Sequence, residues 1–222
     1  MGTAPMIEKQ QFIVIGLGVF GATIARELTR LGHEVLGIDS DEQRVDRLAD
    51  EITHAVIADA TDESTLIELN AGSYDAAIVA VGRNVEATML ATLQLRELGV
   101  TKVWAKALTN QHHRILERLG ATRIIAPEFE MGVRISQELN YPMVHDYLGL
   151  DDDYFIVDFH TTEDLVGKTI GEVINGEPVE ALVVKRMKEA HPHPDHTWKI
   201  RKGDRIVLGG QLEDLRDLVN RL

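Results

Sequence analysis

The amino-acid sequence predicts an α/β protein: a doubly wound parallel sheet over residues 1–145, then a small α+β domain over residues 146–222. Three observations predict it. Short apolar runs rich in β-branched residues recur about every 20 residues, the spacing that βαβ units require. Amphipathic stretches with helix-start signals fill the gaps. After Tyr147 the pattern changes to short strands and short helices.

The strand candidates of the first part are Phe12–Ile15, Val35–Ile38, Ala55–Ala58, Ala76–Val81, Lys102–Ala107 and Arg123–Ala126. Several are apolar throughout, as strands buried on both faces of a parallel sheet are. Between them, Ile24, Leu28 and Leu31 recur at helical spacing, and Gly32 supplies a stop. Ser40 followed by Gln43 fits a capping box ahead of Val45 and Leu48. Thr61 can cap the helix carrying Leu66 and Leu69, and Asn84 the one carrying Val85, Met89 and Leu93. Met131–Tyr147 reads as a long helix interrupted near Pro142, and Asp151–Asp153 as a solvated linker.

In the second part, Tyr154–Phe159, Ala181–Arg186 and Arg205–Leu208 read as strands and Thr169–Ile174 as a short helix. Lys202, Gly203 and Asp204 form a turn. Leu212–Leu222 is an amphipathic helix with Leu212, Leu215, Val219 and Leu222 on one face. The imidazoles of His191, His193 and His196 invite a metal site, but Pro192 and Pro194 favour an exposed hairpin tip.

A chain of 222 residues is long enough to bury a core without covalent staples. It has no cysteine, which excludes disulfides and thiolate metal sites. A net charge of −13 argues against a nucleic-acid partner and against an anionic membrane surface. No apolar run reaches the roughly 18–20 residues that span a bilayer, and no signal-peptide pattern opens the chain, so a cytoplasmic protein is expected. Met1–Pro5 reads as a loose tail without a role.

Gly16-Leu17-Gly18-Val19-Phe20-Gly21 is a G-x-G-x-x-G that follows a strand and opens a helix, the context that gives this motif meaning. Gly16 permits the tight turn, Gly18 lets backbone approach a pyrophosphate, and Gly21 lets helix and sheet pack closely. Helix-start amides and the helix dipole then favour phosphate. Asp39 follows Gly21 by 18 residues at the end of the second strand, where a carboxylate accepts both ribose hydroxyls and repels a 2′-phosphate. Ser40 and Asp41 continue that edge. Asp59 and Ala60 end the third strand beside the expected adenine, though an acid near a helix start is also a common cap. Val81 and Gly82 end the fourth strand at the switch point. Arg83 after them either meets phosphate or is solvated. Lys106 ends the fifth strand, facing an anionic ligand or simply water. No Tyr-x-x-x-Lys or triad-like pattern accompanies the motif, so binding without catalysis is expected.

Longer blocks carry a resemblance: Gln11–Gly18, Gly32–Leu36, Thr53–Thr61, Trp104–Ala107, His112–Glu117, Gly120–Ala121, Arg123–Glu128 and Met131–Gly132. Together they resemble the TrkA/KtrA-type family of RCK proteins, most of all its KtrA-type branch. The resemblance implies a Rossmann-like nucleotide domain that binds ATP, ADP or NAD(H), and a C-terminal domain that dimerises and in many relatives binds cyclic di-AMP. It implies homodimers assembled into an octameric ring under a KtrB/TrkH-type potassium channel, with no membrane insertion of their own. By position it implies ribose at Asp39, adenine at Asp59 and Ala60, and phosphates or the adjoining dimer contact near Lys106, His112 and Glu128. Glu128 would share a Mg2+ or Na+ with the phosphates; otherwise it is a helix-start acid favoured by the dipole, and His112 an interface histidine. Arg186 matches a position that lines an effector cleft, or is a solvated strand-end arginine. Val19 departs from the family, which commonly carries arginine there to reach the terminal phosphate. A small NAD-dependent oxidoreductase, a regulator of a cation–proton antiporter, and a redox-sensing transcription factor are the competing readings. The acidic balance disfavours the last.

Overall fold

The computed structural model describes residues 8–82, 84–140, 144–150 and 153–221. The expectations for Met1–Pro5, Arg83, Pro142 and the start of the Asp151–Asp153 run therefore lie outside the described residues. The chain divides into two compact units, Met1–Pro127 and Glu128–Leu222.

In the first unit, β1 (Gln11–Ile15), β2 (Glu34–Asp39), β3 (His54–Ile57), β4 (Ala76–Val79), β5 (Lys102–Lys106) and β6 (Arg123–Ile125) form a six-stranded sheet. Every pair is parallel, in the order β3-β2-β1-β4-β5-β6. Alternate side chains feed two cores, because successive residues of a strand point to opposite faces. Ile13, Ile15, Leu36, Ile38, Ala77 and Val79 pack on one face with Leu66, Leu95 and Leu116. Val14, Val35 and Ile78 pack on the other with Ala22, Ala25, Val45 and Leu48. Thus α1 (Val19–Arg30) and α2 (Glu42–Asp46) cover one face. The opposite face is covered by α3 (Glu63–Glu68), α4 (Val85–Glu97) and α5 (Asn110–Arg118). The order reverses between β1 and β4, so the crevice of such a sheet lies at their carboxyl ends.

Two caps differ from expectation. Asp41, not Ser40, caps α2, its carboxylate accepting from the Gln43 amide at 3.0 Å. The strand runs on to Asp39, which moves the cap one residue along. Asp62, not Thr61, caps α3, accepting from the Ser64 amide at 3.0 Å, because Thr61 is held instead by Asp59. Asn84 caps α4 as expected, accepting from the Ala87 amide.

The second unit begins at Glu128, the second residue of α6 (Pro127–Asn140). Its antiparallel sheet runs β10 (Glu189–Pro192), β9 (Glu180–Arg186), β11 (Arg205–Gln211), β8 (Tyr154–His160), β7 (Val144–Gly149). One face packs on α7 (Ile170–Ile174) and α8 (Leu212–Arg221) through Ile170, Val173, Ile174, Leu215 and Leu218. A capping box between Thr169 and Glu172 starts α7.

Two expectations are corrected here. Met131–Tyr147 is not one helix: α6 begins at Pro127, a residue suited to the first helical position, and Val144–Gly149 is a strand on β8. Pairing with β8 overrides the local helical pattern. His191–His196 is not a hairpin tip. Met187 and Lys188 make the turn, Met187 at φ 53°, which places His191 and Pro192 in β10. No described helix is long and apolar enough to cross a membrane.

Candidate functional site

The site begins with the turn after β1. Gly16 sits at φ +91°, a left-handed conformation open to glycine, and a Cβ there would lie 2.7 Å from the Ala80 carbonyl. The loop therefore lies directly against the end of β4. A Cβ on Gly21 would come 1.9 Å from the Gly16 carbonyl oxygen, so only glycine lets α1 start this close to the turn. Gly18 is the N-cap of α1 and has no side chain to bond the first-turn amides. A Cβ on Gly18 or Gly82 would meet nothing within 4 Å. Open space thus faces uncapped amides and the positive end of a helix dipole, the arrangement that receives phosphate.

The sheet ends gather the remaining groups. Gly16 N–H donates to the Ile38 carbonyl at 2.8 Å, and Ala58 N–H to the Asp39 carbonyl at 3.1 Å. These bonds hold the ends of β1, β2 and β3 side by side. Asp39 is buried, 7% exposed as a residue. Its Oδ2 accepts from the Leu17 amide at 2.7 Å and its Oδ1 from the Asp41 amide at 2.9 Å. Arg44 Nη1 donates to Oδ2 at 3.3 Å, and Arg44 Nε lies 3.3 Å from Asp41 Oδ2. Asp39 thus already accepts three hydrogen bonds, and Arg44 sets a positive charge beside its carboxylate. Ser40 is exposed.

Asp59 is exposed and turned into its own loop, accepting at Oδ1 from the Thr61 amide at 2.9 Å and the Thr61 hydroxyl at 2.7 Å. These bonds hold its carboxyl below the usual carboxylate range. Ala60 beside it is buried. The end of β4 is fixed from above, where Thr88 Oγ1 donates to the Val81 carbonyl at 3.1 Å.

Lys106 is not a surface lysine. It is 7% exposed, with its ammonium 5.6 Å from the centre of the Phe20 ring, which ties the end of β5 to the glycine loop. His112 is 2% exposed, at the start of α5. Its Nδ1 accepts from the Leu108 amide at 3.4 Å, and its Nε2 has no hydrogen-bond partner among the described residues. Burial holds the imidazole below its ordinary pKa, so it is neutral near pH 7. Val19 is 91% exposed at the first turn of α1.

Residues 12–127 match the TrkA-N domain family. The chain belongs to the TrkA-N family. This TrkA-N protein is 41% identical over 216 residues to the Ktr system potassium uptake protein A of Bacillus subtilis (strain 168), covering 96% of this chain and 97% of the relative. Its fold is similar to the crystal structure of the GsuK RCK domain, with a TM-score of 0.66 at 19% identity, covering 98% of this chain and 48% of that one. It is also similar to the GsuK channel bound to NAD, with a TM-score of 0.65 at 18% identity, covering 97% and 40%. The chain thus spans less than half the length of either GsuK chain.

The remaining candidates of the TrkA-N chain stand on other elements. Glu128 is exposed in the first turn of α6 and belongs to the second unit. Among the described residues no three His, Cys, Asp or Glu side chains converge as a metal site, and the His191–His196 segment forms none. His191 instead packs at a tilt against Trp198, with ring centres 4.8 Å apart. Arg186 is no solvated strand-end arginine. It forms two bonds to Asp204, at 2.8 and 2.7 Å, and one to the Lys199 carbonyl, and lies over the Trp198 ring.

Arg44, Phe20 and Asp204 were missed by sequence reasoning. Arg44 had a local signal, standing three residues after Asp41 at the spacing of helical ion pairs. Phe20 is brought in by its tertiary contact with Lys106, and Asp204 by its pairing with Arg186 across the sheet.

Proposed function

We propose that this chain is a regulatory subunit of a Ktr-type potassium transport system. It binds an adenine nucleotide, ADP or ATP with NAD(H) as a further ligand, at the carboxyl ends of β1 to β4. The observation that carries the reading is one arrangement. A buried carboxylate, Asp39, closes β2 beside a glycine turn whose helix-start amides face open space. Relatedness to Ktr system potassium uptake protein A over nearly the whole of both chains supplies the physiological setting.

In this reading Asp39 holds the ribose, with Ser40 and Asp41 along the same edge. Ala60 and the Asp59 loop border the adenine, and the Gly16–Gly21 amides take the pyrophosphate. Lys106 adds positive charge beneath the loop. His112 and Glu128 belong to the phosphate end or the dimer contact around it, where Glu128 would share a Mg2+ or Na+. The nucleotide domain runs to about residue 145, with α6 as its crossover helix, and residues 146–222 dimerise and take cyclic di-AMP. Homodimers build an octameric ring on the cytoplasmic face of the channel. The subunit carries out no reaction of its own. Two nucleotides switch the ring only if they differ in affinity for its two shapes.

The test is thermal denaturation with ADP, ATP and NADH, paired with potassium uptake in cells carrying this subunit and its channel partner. Stabilisation by a nucleotide, together with uptake that depends on the subunit, supports the reading. A melting point unmoved by all three ligands contradicts it.

A further inference from the structure

The ribose end of the crevice contains a group that the nucleotide reading does not use. A carboxylate offers about four lone-pair positions, two on each oxygen. Three donors already reach Asp39: the Leu17 amide and Arg44 Nη1 on Oδ2, and the Asp41 amide on Oδ1. The two backbone bonds are short, at 2.7 and 2.9 Å, and belong to the fold itself. The Arg44 bond is long, at 3.3 Å, and its side chain is 45% exposed while that of Asp39 is 6% exposed. A vicinal diol needs one acceptor on each oxygen. Oδ1 has one to give, whereas the second position of Oδ2 is taken by Arg44.

We propose that Arg44 competes with the nucleotide sugar for Asp39 and so sets how strongly the crevice distinguishes a ribose from a sugar without hydroxyls. The inference rests on the nucleotide reading above. Arg44 has somewhere to go when displaced, since Nε already lies 3.3 Å from Asp41 Oδ2. Pivoting onto Asp41 frees Oδ2 for the second hydroxyl and keeps the guanidinium paired. The long geometry and half exposure make the Asp39–Arg44 contact the weakest of the three, and the one a diol can replace.

The test compares wild type with Arg44→Gln and Arg44→Met by calorimetric titration of ADP and of 2′,3′-dideoxy-ADP at low and high salt. Loss of a cation near a phosphate ligand would ordinarily weaken binding. Here both variants are expected to bind ADP about two- to fivefold more tightly than wild type at low salt, the range of a partly exposed ion pair. The gap closes at high salt, where the pair is screened. Dideoxy-ADP, having no diol to claim Oδ2, shows no such gain. Equal or weaker ADP binding by both variants overturns the competition while leaving the nucleotide reading standing. An equal gain for dideoxy-ADP overturns it too. If wild type and variants alike fail to bind ADP, the nucleotide reading falls and this inference with it.

Discussion

At Val19 an isopropyl group, 91% exposed, stands at the first turn of the helix that faces the open ground above Gly18. It offers a phosphate neither charge nor hydrogen bond, so affinity there rests on backbone amides and the helix dipole. Val19→Arg is expected to raise affinity for ATP relative to ADP by about tenfold, the effect of one added charged hydrogen bond. Titration of both nucleotides into both proteins measures it, and an unchanged ATP/ADP ratio contradicts the expectation. The tight turn at Gly16, the close packing at Gly21 and the place of Asp39 at the end of β2 were legible in the sequence because they follow from local backbone geometry. The burial of Lys106 was not, because its surroundings come from other elements, Phe20 on α1 among them. Asp59 was legible as a position only. Its carboxylate turns to Thr61, a choice between loop and ligand that residue types alone do not settle.

Among the elements, the junction of β1 and α1 is the most constrained. Gly21→Ala would place a methyl 1.9 Å from the Gly16 carbonyl oxygen, and neither backbone segment can yield without shifting the turn against Ala80. The substitution is expected to destabilise the protein by about 1–3 kcal/mol, as overpacking against fixed backbone does, and to weaken nucleotide binding. Urea denaturation with a parallel titration checks both, and wild-type values for each would contradict the account. The six strands of the first sheet were readable because alternation with helices marks their ends and the central strands β1, β2 and β4 bury both faces. Val144–Gly149 was not readable: it becomes a strand through its partner β8. The segment at His191 failed for a similar reason, since its turn lies at Met187, a residue whose type does not announce a positive φ.

The molecule as a whole consists of two separately cored units, and the second has its own buried electrostatic anchor. Asp204 is 1% exposed. Burial pushes its carboxyl up, but bonds from Arg186 and the Arg201 amide outweigh that and hold it below the usual range. A carboxyl depressed in the folded state adds stability that is present above its unfolded pKa and lost as pH falls toward the folded value. Arg186→Met leaves Asp204 buried without its cation and is expected to cost about 3 kcal/mol at pH 7. The difference from wild type narrows as pH falls from neutral, because burial without the cation raises the variant's carboxyl and protonation removes the uncompensated charge. Denaturation midpoints across this pH range measure it, and a deficit independent of pH would contradict the assignment.

The central claim is that a sugar docks on Asp39 while its pyrophosphate rests on the glycine turn. Calorimetric titration of ADP and NADH into wild type and Asp39→Ala, with both proteins shown to be folded by circular dichroism, tests it most directly. The account predicts saturable binding by wild type and a loss of at least about tenfold in the variant, as removal of a buried charged acceptor entails. Equal affinities in the two proteins would contradict it.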